Sequence, residues 1–192
     1  MRNFSQRQPY VLFLFTGVKL FNQLEQPRWS DYLPHAKFIY LDYLSTADAT
    51  QLLTQPYPNF PLQYADGVLA HIYTQTQGHP ALLHIIGDAL VSYANRAYTH
   101  DIDLNIVNQI IQTDILTQGQ GVFTVFWQQF CHEQVVKDTV VNIIEQTGNL
   151  DRDSLSYLLQ HRFIEKGTNR FQMRVPRFEQ WIRKFVIDFL KF

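Results

Sequence analysis

The sequence predicts a mainly α protein with small β elements, and three observations carry the prediction. Apolar residues recur at helical spacing through most of the chain after residue 45. Strand-like runs are short and confined to Tyr10–Phe15, Phe38–Leu44 and a pair of segments near the C-terminus. Glycine and proline sit where one helical pattern gives way to the next, most plainly at Gly78-His79-Pro80. With 192 residues and 46% hydrophobic composition, the chain has enough apolar surface to fill a real core.

Tyr10–Phe15 (YVLFLF) is continuously apolar and bounded by Pro9 and by Thr16-Gly17. Such a run fits a strand covered on both faces, where no wet face imposes alternation. FIYLDYL, Phe38–Leu44, is the second candidate, and Val18 to Leu33 leaves room between them for a short helix and a loop through Pro27. Two strands cannot cover their own edges and faces, so residues 1–45 read as the end of a larger α/β sheet.

Residues 46–118 then read as a helical subdomain. Ser45 followed by Asp48 resembles a capping box, and the helix it opens stops at Pro56, Pro58 and Pro61. A second helix is expected from about Tyr64 to Gln77, with Ala65, Val68, Leu69, Ile72 and Thr76 on one side. Gly78 suits a left-handed helix exit, and Pro80 suits the first turn of the next helix while keeping His79 extended. That helix carries the stripe Leu82, Ile85, Ile86, Ala89, Leu90 and Tyr93, and a further one is expected over Leu104–Leu116.

From residue 119 to 192 the order is three helices, a hairpin and a last helix, the pattern of a winged helix. Val122–Phe130 is strongly aromatic, Val136, Val140, Ile143 and Ile144 stripe the next helix, and Asn149 or Asp151 caps a short third one. Phe163-Ile164 and the alternating Phe171, Met173 and Val175 flank a KGTN turn. The final helix is expected to bury Phe178, Trp181, Ile182, Phe185 and Phe189.

Net charge is −1, which gives no whole-chain attraction to nucleic acid or membrane. Nine basic against four acidic residues from Arg152 onward nevertheless make that segment +5 and leave −6 for the remainder. A single cysteine, Cys131, excludes an internal disulfide and reads as a buried helix residue. The apolar run at Val11–Phe15 is too short for a secretory leader, and no stretch approaches the ~20 apolar residues of a membrane span, so a cytoplasmic location is expected.

Motifs narrow the chemistry further. No G-x-x-x-x-G-K-[ST] loop is present to wrap phosphates. Phe38–Asp42 mimics a strand that ends in a magnesium-binding carboxylate, but without such a loop Asp42 reads as an exposed strand residue. The seven histidines form no H-E-x-x-H pair, and His79 and His84 are five apart, on different faces of a helix, so no metal site is expected. No G-x-S-x-G elbow supports hydrolase chemistry.

The order of segments, from FTG at Phe15–Gly17 through IYLDYLS and QLL to QGHPALLHIIGDALV and RFQMRVPRFEQWIRKF, resembles the C-terminal part of STAND-type ATPases of the AAA-like superfamily. The resemblance covers the chain from about Pro9, and its strongest feature is the glycine-x-proline junction entering a helix with two leucines. It implies that Thr16 stands at the sensor-1 position, that residues 46–118 form the lid, and that Gly78, His79 and Pro80 pack against adenine and ribose. An arginine often follows the sensor-1 strand in related proteins, whereas Val18 and Lys19 occupy that neighbourhood here. The family's phosphate loop and magnesium carboxylates belong to an N-terminal half that this sequence does not contain, so no catalysis is expected of the chain alone. ATP or ADP with magnesium would enter only where that half, or a partner protein, supplies it. The reading is therefore a non-catalytic regulatory or interaction module of a signalling ATPase. The alternative is a DNA-binding winged-helix regulator, with Lys166, Arg170 and Arg174 of the hairpin on phosphates, although the third helix of the winged helix begins with Asp151 and Asp153, which would face that groove.

Overall fold

A computed structural model describes residues 37, 39, 41–115 and 119–188, without the side chains of residues 114 and 115. The strand expected at Tyr10–Phe15, the helix expected between Val18 and Leu33, Thr16, Leu116 and Phe189 lie outside the described residues. The chain divides into two compact units, Met1–Leu41 and Asp42–Phe192, and the second carries the elements described below. It is mainly α with small β elements, as composition and periodicity predict.

Helix α1 spans Thr46–Thr54. Its Ser45 hydroxyl accepts from the Asp48 amide at 3.2 Å and donates to the Asp48 carboxylate at 2.6 Å, so the expected cap forms as a mutual pair. The proline-rich loop that follows leads to strand β1, Gln63–Tyr64, which lies parallel to β2, Asp101–Ile102. The sequence predicted a helix from about Tyr64. Instead Gln63 and Ala65 donate to the His100 and Ile102 carbonyls, and Gly67 turns with φ +80° before helix α2 starts at Val68.

Helices α2, Val68–Thr76, and α3, Pro80–Ala97, form the centre of this half. Of the expected α3 stripe, Leu82, Ile86, Ala89 and Leu90 are buried and Ile85 and Tyr93 partly so, while Leu83, outside that stripe, is buried as well and Ile72 of α2 is fully buried. Helix α4, Leu104–Ile110, is capped by Asp103, whose carboxylate accepts from the Ile106 amide at 2.9 Å, and it widens into a π-type turn over Ile111–Ile115.

Helices α5, Gly119–Phe130, α6, Gln134–Glu145, and α7, Arg152–Gln160, precede the antiparallel strands β3, Ile164–Lys166, and β4, Phe171–Met173. Ile164 pairs with Met173 and Lys166 with Phe171. Helix α8, Pro176–Ile182, closes the order expected of a winged helix and runs on into a π-type turn over Arg183–Ile187. Asp151 rather than Asn149 caps α7, accepting from the Ser154 amide and hydroxyl at 2.8 and 2.7 Å. Phe123, Phe178 and Trp181 pack together, with the Phe178 and Trp181 rings 5.7 Å apart and nearly parallel. Phe185, expected in this core, is 37% exposed.

The buried side chains of both halves form one continuous cluster, from Ala49 and Leu53 to Trp181 and Ile187. No helix among the described residues is long and apolar enough to cross a membrane.

Candidate functional site: the Gly78-His79-Pro80 corner

The junction between α2 and α3 takes its shape from backbone geometry and one threonine. Helix α2 ends at Thr76, and both Gln77 (φ 50°) and Gly78 (φ 75°) adopt the left-handed conformation. The expected exit thus begins one residue before the glycine. Thr76 is fully buried; its hydroxyl donates to the Ile72 carbonyl at 3.0 Å and accepts from the Gly78 amide at 3.3 Å. Its own carbonyl accepts from the His79 amide at 2.9 Å. Pro80 then opens α3, at a position where its missing N–H costs no helical bond.

Glycine is required at 78 for a second reason. A Cβ there would lie 2.0 Å from the Leu44 carbonyl oxygen, and the Leu44 amide donates to the Gly78 carbonyl at 2.9 Å. The segment entering α1 therefore lies directly on the corner. Residues 42–44, the end of the second strand candidate, show no ladder partner among the described residues, and Leu44 makes this contact instead. Tyr73 adds a weaker bond from its hydroxyl to the Leu44 carbonyl at 3.4 Å.

His79 is only 5% exposed. Its ring stands between Tyr43 and Phe126 of α5, with centroid distances of 4.8 Å to each. Burial pushes its pKa down to about 4 against the opposing pull of its own backbone, and the nearby Arg174 charge acts with burial. His79 is therefore neutral at physiological pH, and its buried Nδ1 has no hydrogen-bond partner. Pro80, in contrast, is exposed, and no side chain caps the N-terminus of α3.

An arginine from the other half completes the arrangement. Arg174, just after β4, places its guanidinium 4.3 Å from the Tyr43 ring centroid and donates from Nη1 to Asp42 at 2.6 Å. Arg162 approaches the other Asp42 oxygen at 3.6 Å. Burial alone would raise the Asp42 pKa. The bond from Arg174, the Tyr43 amide at 2.7 Å and the charges of both arginines outweigh it and hold the carboxyl below its ordinary value. Burial pushes the Tyr43 hydroxyl up to about 12, so the ring stays neutral beside the guanidinium.

Of the residues expected to contact nucleotide, the structure joins Gly78, His79 and Pro80 in one corner, while Thr16 lies outside the described residues. Of those expected to contact DNA, Lys166 and Arg170 are exposed on the hairpin, whereas Arg174 turns to Asp42 and Tyr43 and is not free for phosphate. Asp42 is held by arginines, an environment that does not fit a magnesium ion. No group of three or more His, Cys, Asp or Glu among the described residues could hold a metal.

Asp42, Tyr43, Thr76, Phe126 and Arg174 were not foreseen as parts of this corner. Asp42 and Arg174 are 132 residues apart, and no spacing rule connects them. The Thr76 hydroxyl, two residues before Gly78 at a helix end, was the one local signal available. No family model, curated protein or solved structure matches the chain.

Proposed function

We propose that this chain is the lid and winged-helix portion of a STAND-like signalling ATPase, acting as a regulatory or protein-interaction module that contacts adenine nucleotide through the Gly78-His79-Pro80 corner. The observation that carries the reading is the convergence at this corner of the segment entering α1, the turn between α2 and α3, and the winged helix, through Leu44, His79, Phe126 and Arg174. A ligand held there would bear on all three at once, which is the geometry needed to pass a nucleotide state to the winged helix.

Both neighbours of the His79 ring are protein aromatics, so in this conformation contact runs through the exposed Pro80 ring and the uncapped start of α3. Backbone N–H groups there favour an anion. Hydrolysis has no place in the proposal, because the sequence holds no phosphate loop and Asp42 is held by arginines. An ATPase core, on a partner or in an adjoining segment, would supply nucleotide and magnesium.

Thermal denaturation with ADP tests the nucleotide contact. Ligand at tenfold excess over Kd stabilises by about 1.4 kcal/mol, and for a chain of this size raises Tm by about 3–5 °C. Pro80→Ala is expected to abolish the rise while keeping a cooperative transition. No rise at millimolar ADP removes nucleotide from the proposal and leaves a protein-interaction module.

The exposed Lys166 and Arg170 favour one second reading, a winged helix that touches nucleic acid through its hairpin. A gel shift that weakens steeply with salt would support it, and no shift at low salt removes it.

A further inference from the structure

We infer that Asp42, Tyr43 and Arg174 form an electrostatic latch that pins the segment before α1 over the lid corner, and that releasing it uncovers the Tyr43 side of His79. Tyr43 covers one side of His79, and the Arg174 guanidinium lies over Tyr43 while donating to Asp42, the residue immediately before it. One side chain from the end of β4 thus fixes two consecutive residues of the segment that leads into α1.

The remaining contacts of the corner sort into a permanent set and a releasable one. The Leu44 amide on the Gly78 carbonyl, and Thr76 on the turn, join residues 44–79 to one another and do not involve the winged helix. Across to the winged helix, beside the shared apolar core that stays packed, run the Arg174 bond, the Arg162 approach and the contact of Phe126 with His79, and only the charged pair is releasable. The charged contacts are open to competition. The Asp42 side chain is 46% exposed and that of Arg162 61%, whereas that of Arg174 is 19% exposed. Solvent cations therefore reach the carboxylate and anions reach Arg162, while the Arg174 guanidinium, which donates to Asp42 through Nη1 alone, suits a phosphate oxyanion as well. Opening leaves the His79 ring, whose Nδ1 has no partner in the closed corner, available as a hydrogen-bonding and stacking group.

Histidine modification by diethylpyrocarbonate, read residue by residue by mass spectrometry on the full chain at neutral pH, tests the latch. His84 is exposed and serves as the internal reference. In the unaltered protein His79 is expected to label far more slowly than His84. In Asp42→Asn and in Arg174→Gln, His79 labelling is expected to rise about tenfold with His84 unchanged, the shift in opening that one charge-assisted hydrogen bond supports. Arg174→Lys keeps the charge but loses the planar fork, and is expected to fall between the two. The unaltered chain at high ionic strength should move in the same direction as Asp42→Asn, and this arm needs no variant to fold. Unchanged His79 labelling in high salt and in a cooperatively folded Asp42→Asn overturns the latch. Equal rises at His79 and at the buried Cys131, probed in parallel with iodoacetamide, would show global loosening and overturn it as well.

Discussion

Two glycines with nearly the same backbone conformation separate what the corner demands from what any left-handed turn demands. Gly67 has φ +80° with nothing within 4 Å of a Cβ position, whereas Gly78 has φ +75° with the Leu44 carbonyl oxygen 2.0 Å away. Alanine at either position bears the left-handed cost of about 1–2 kcal/mol, partly offset by the lower entropy of the unfolded chain, so Gly67→Ala should lose about 1 kcal/mol. At Gly78 the new methyl must also push the Leu44 backbone away by more than an ångström and break the 2.9 Å bond from its amide to the Gly78 carbonyl. Leaving those polar groups unpaired in a buried setting adds about 2–3 kcal/mol, which brings Gly78→Ala to about 3–4 kcal/mol. Urea denaturation followed by far-UV circular dichroism measures both, with the m-value confirming that the comparison stays two-state. A Gly78→Ala loss within about 1 kcal/mol of the Gly67→Ala loss would show that the segment before α1 is not seated on the corner, and the reasoning would fail.

Further outcomes follow from the same contacts. His79 holds its pKa near 4 in the fold against 6.5 when unfolded, so the unfolded chain binds more protons between those values; stability is complete above about pH 6.5 and is lost as pH falls toward 4. The loss attributable to His79 is at most about 3 kcal/mol, and His79→Phe should flatten the pH dependence of Tm in that window; an unchanged slope contradicts a neutral buried His79. Asp42, held below its ordinary value, acts in a separate window: its contribution is present above the ordinary carboxylate pKa and disappears only as pH falls through its lower folded value, so Asp42→Asn should leave the slope above pH 5 intact. Cys131 is fully buried and burial pushes its thiol up to about 12, so iodoacetamide should label it only after denaturation; rapid labelling of the native chain contradicts the core placement.

What the sequence disclosed was local in physical origin. The stripe of α3 was legible because one helical face is read at fixed spacing, and the Ser45 and Asp151 caps because a short polar side chain meets backbone amides within three residues. The hairpin was legible from alternation in Phe171, Met173 and Val175, the last two buried. The strands β1 and β2 were not, since two residues are too few to show a period and their pairing joins Gln63 to Asp101 across two intervening helices. Tyr64 consequently read as the start of a helix, whereas its backbone belongs to a ladder and its hydroxyl donates to the Leu53 carbonyl at 3.0 Å. At the corner, Gly78 and Pro80 announced a turn, but the identity of what lies on it depended on tertiary pairing. Arg174 resembled a free phosphate-binding side chain because its partner, Asp42, is remote in sequence and seemed explained by its strand.

The proposed role turns on whether adenine nucleotide touches the corner, and amide chemical-shift mapping of the full chain during titration with ADP addresses that directly. Nucleotide at the corner produces shifts that saturate and centre on Gly78, His79 and the first turn of α3, spreading to Leu44 through its bond to Gly78, with Lys166 and Arg170 unmoved. Saturating shifts confined to the hairpin, or none anywhere at millimolar ADP, would contradict that role.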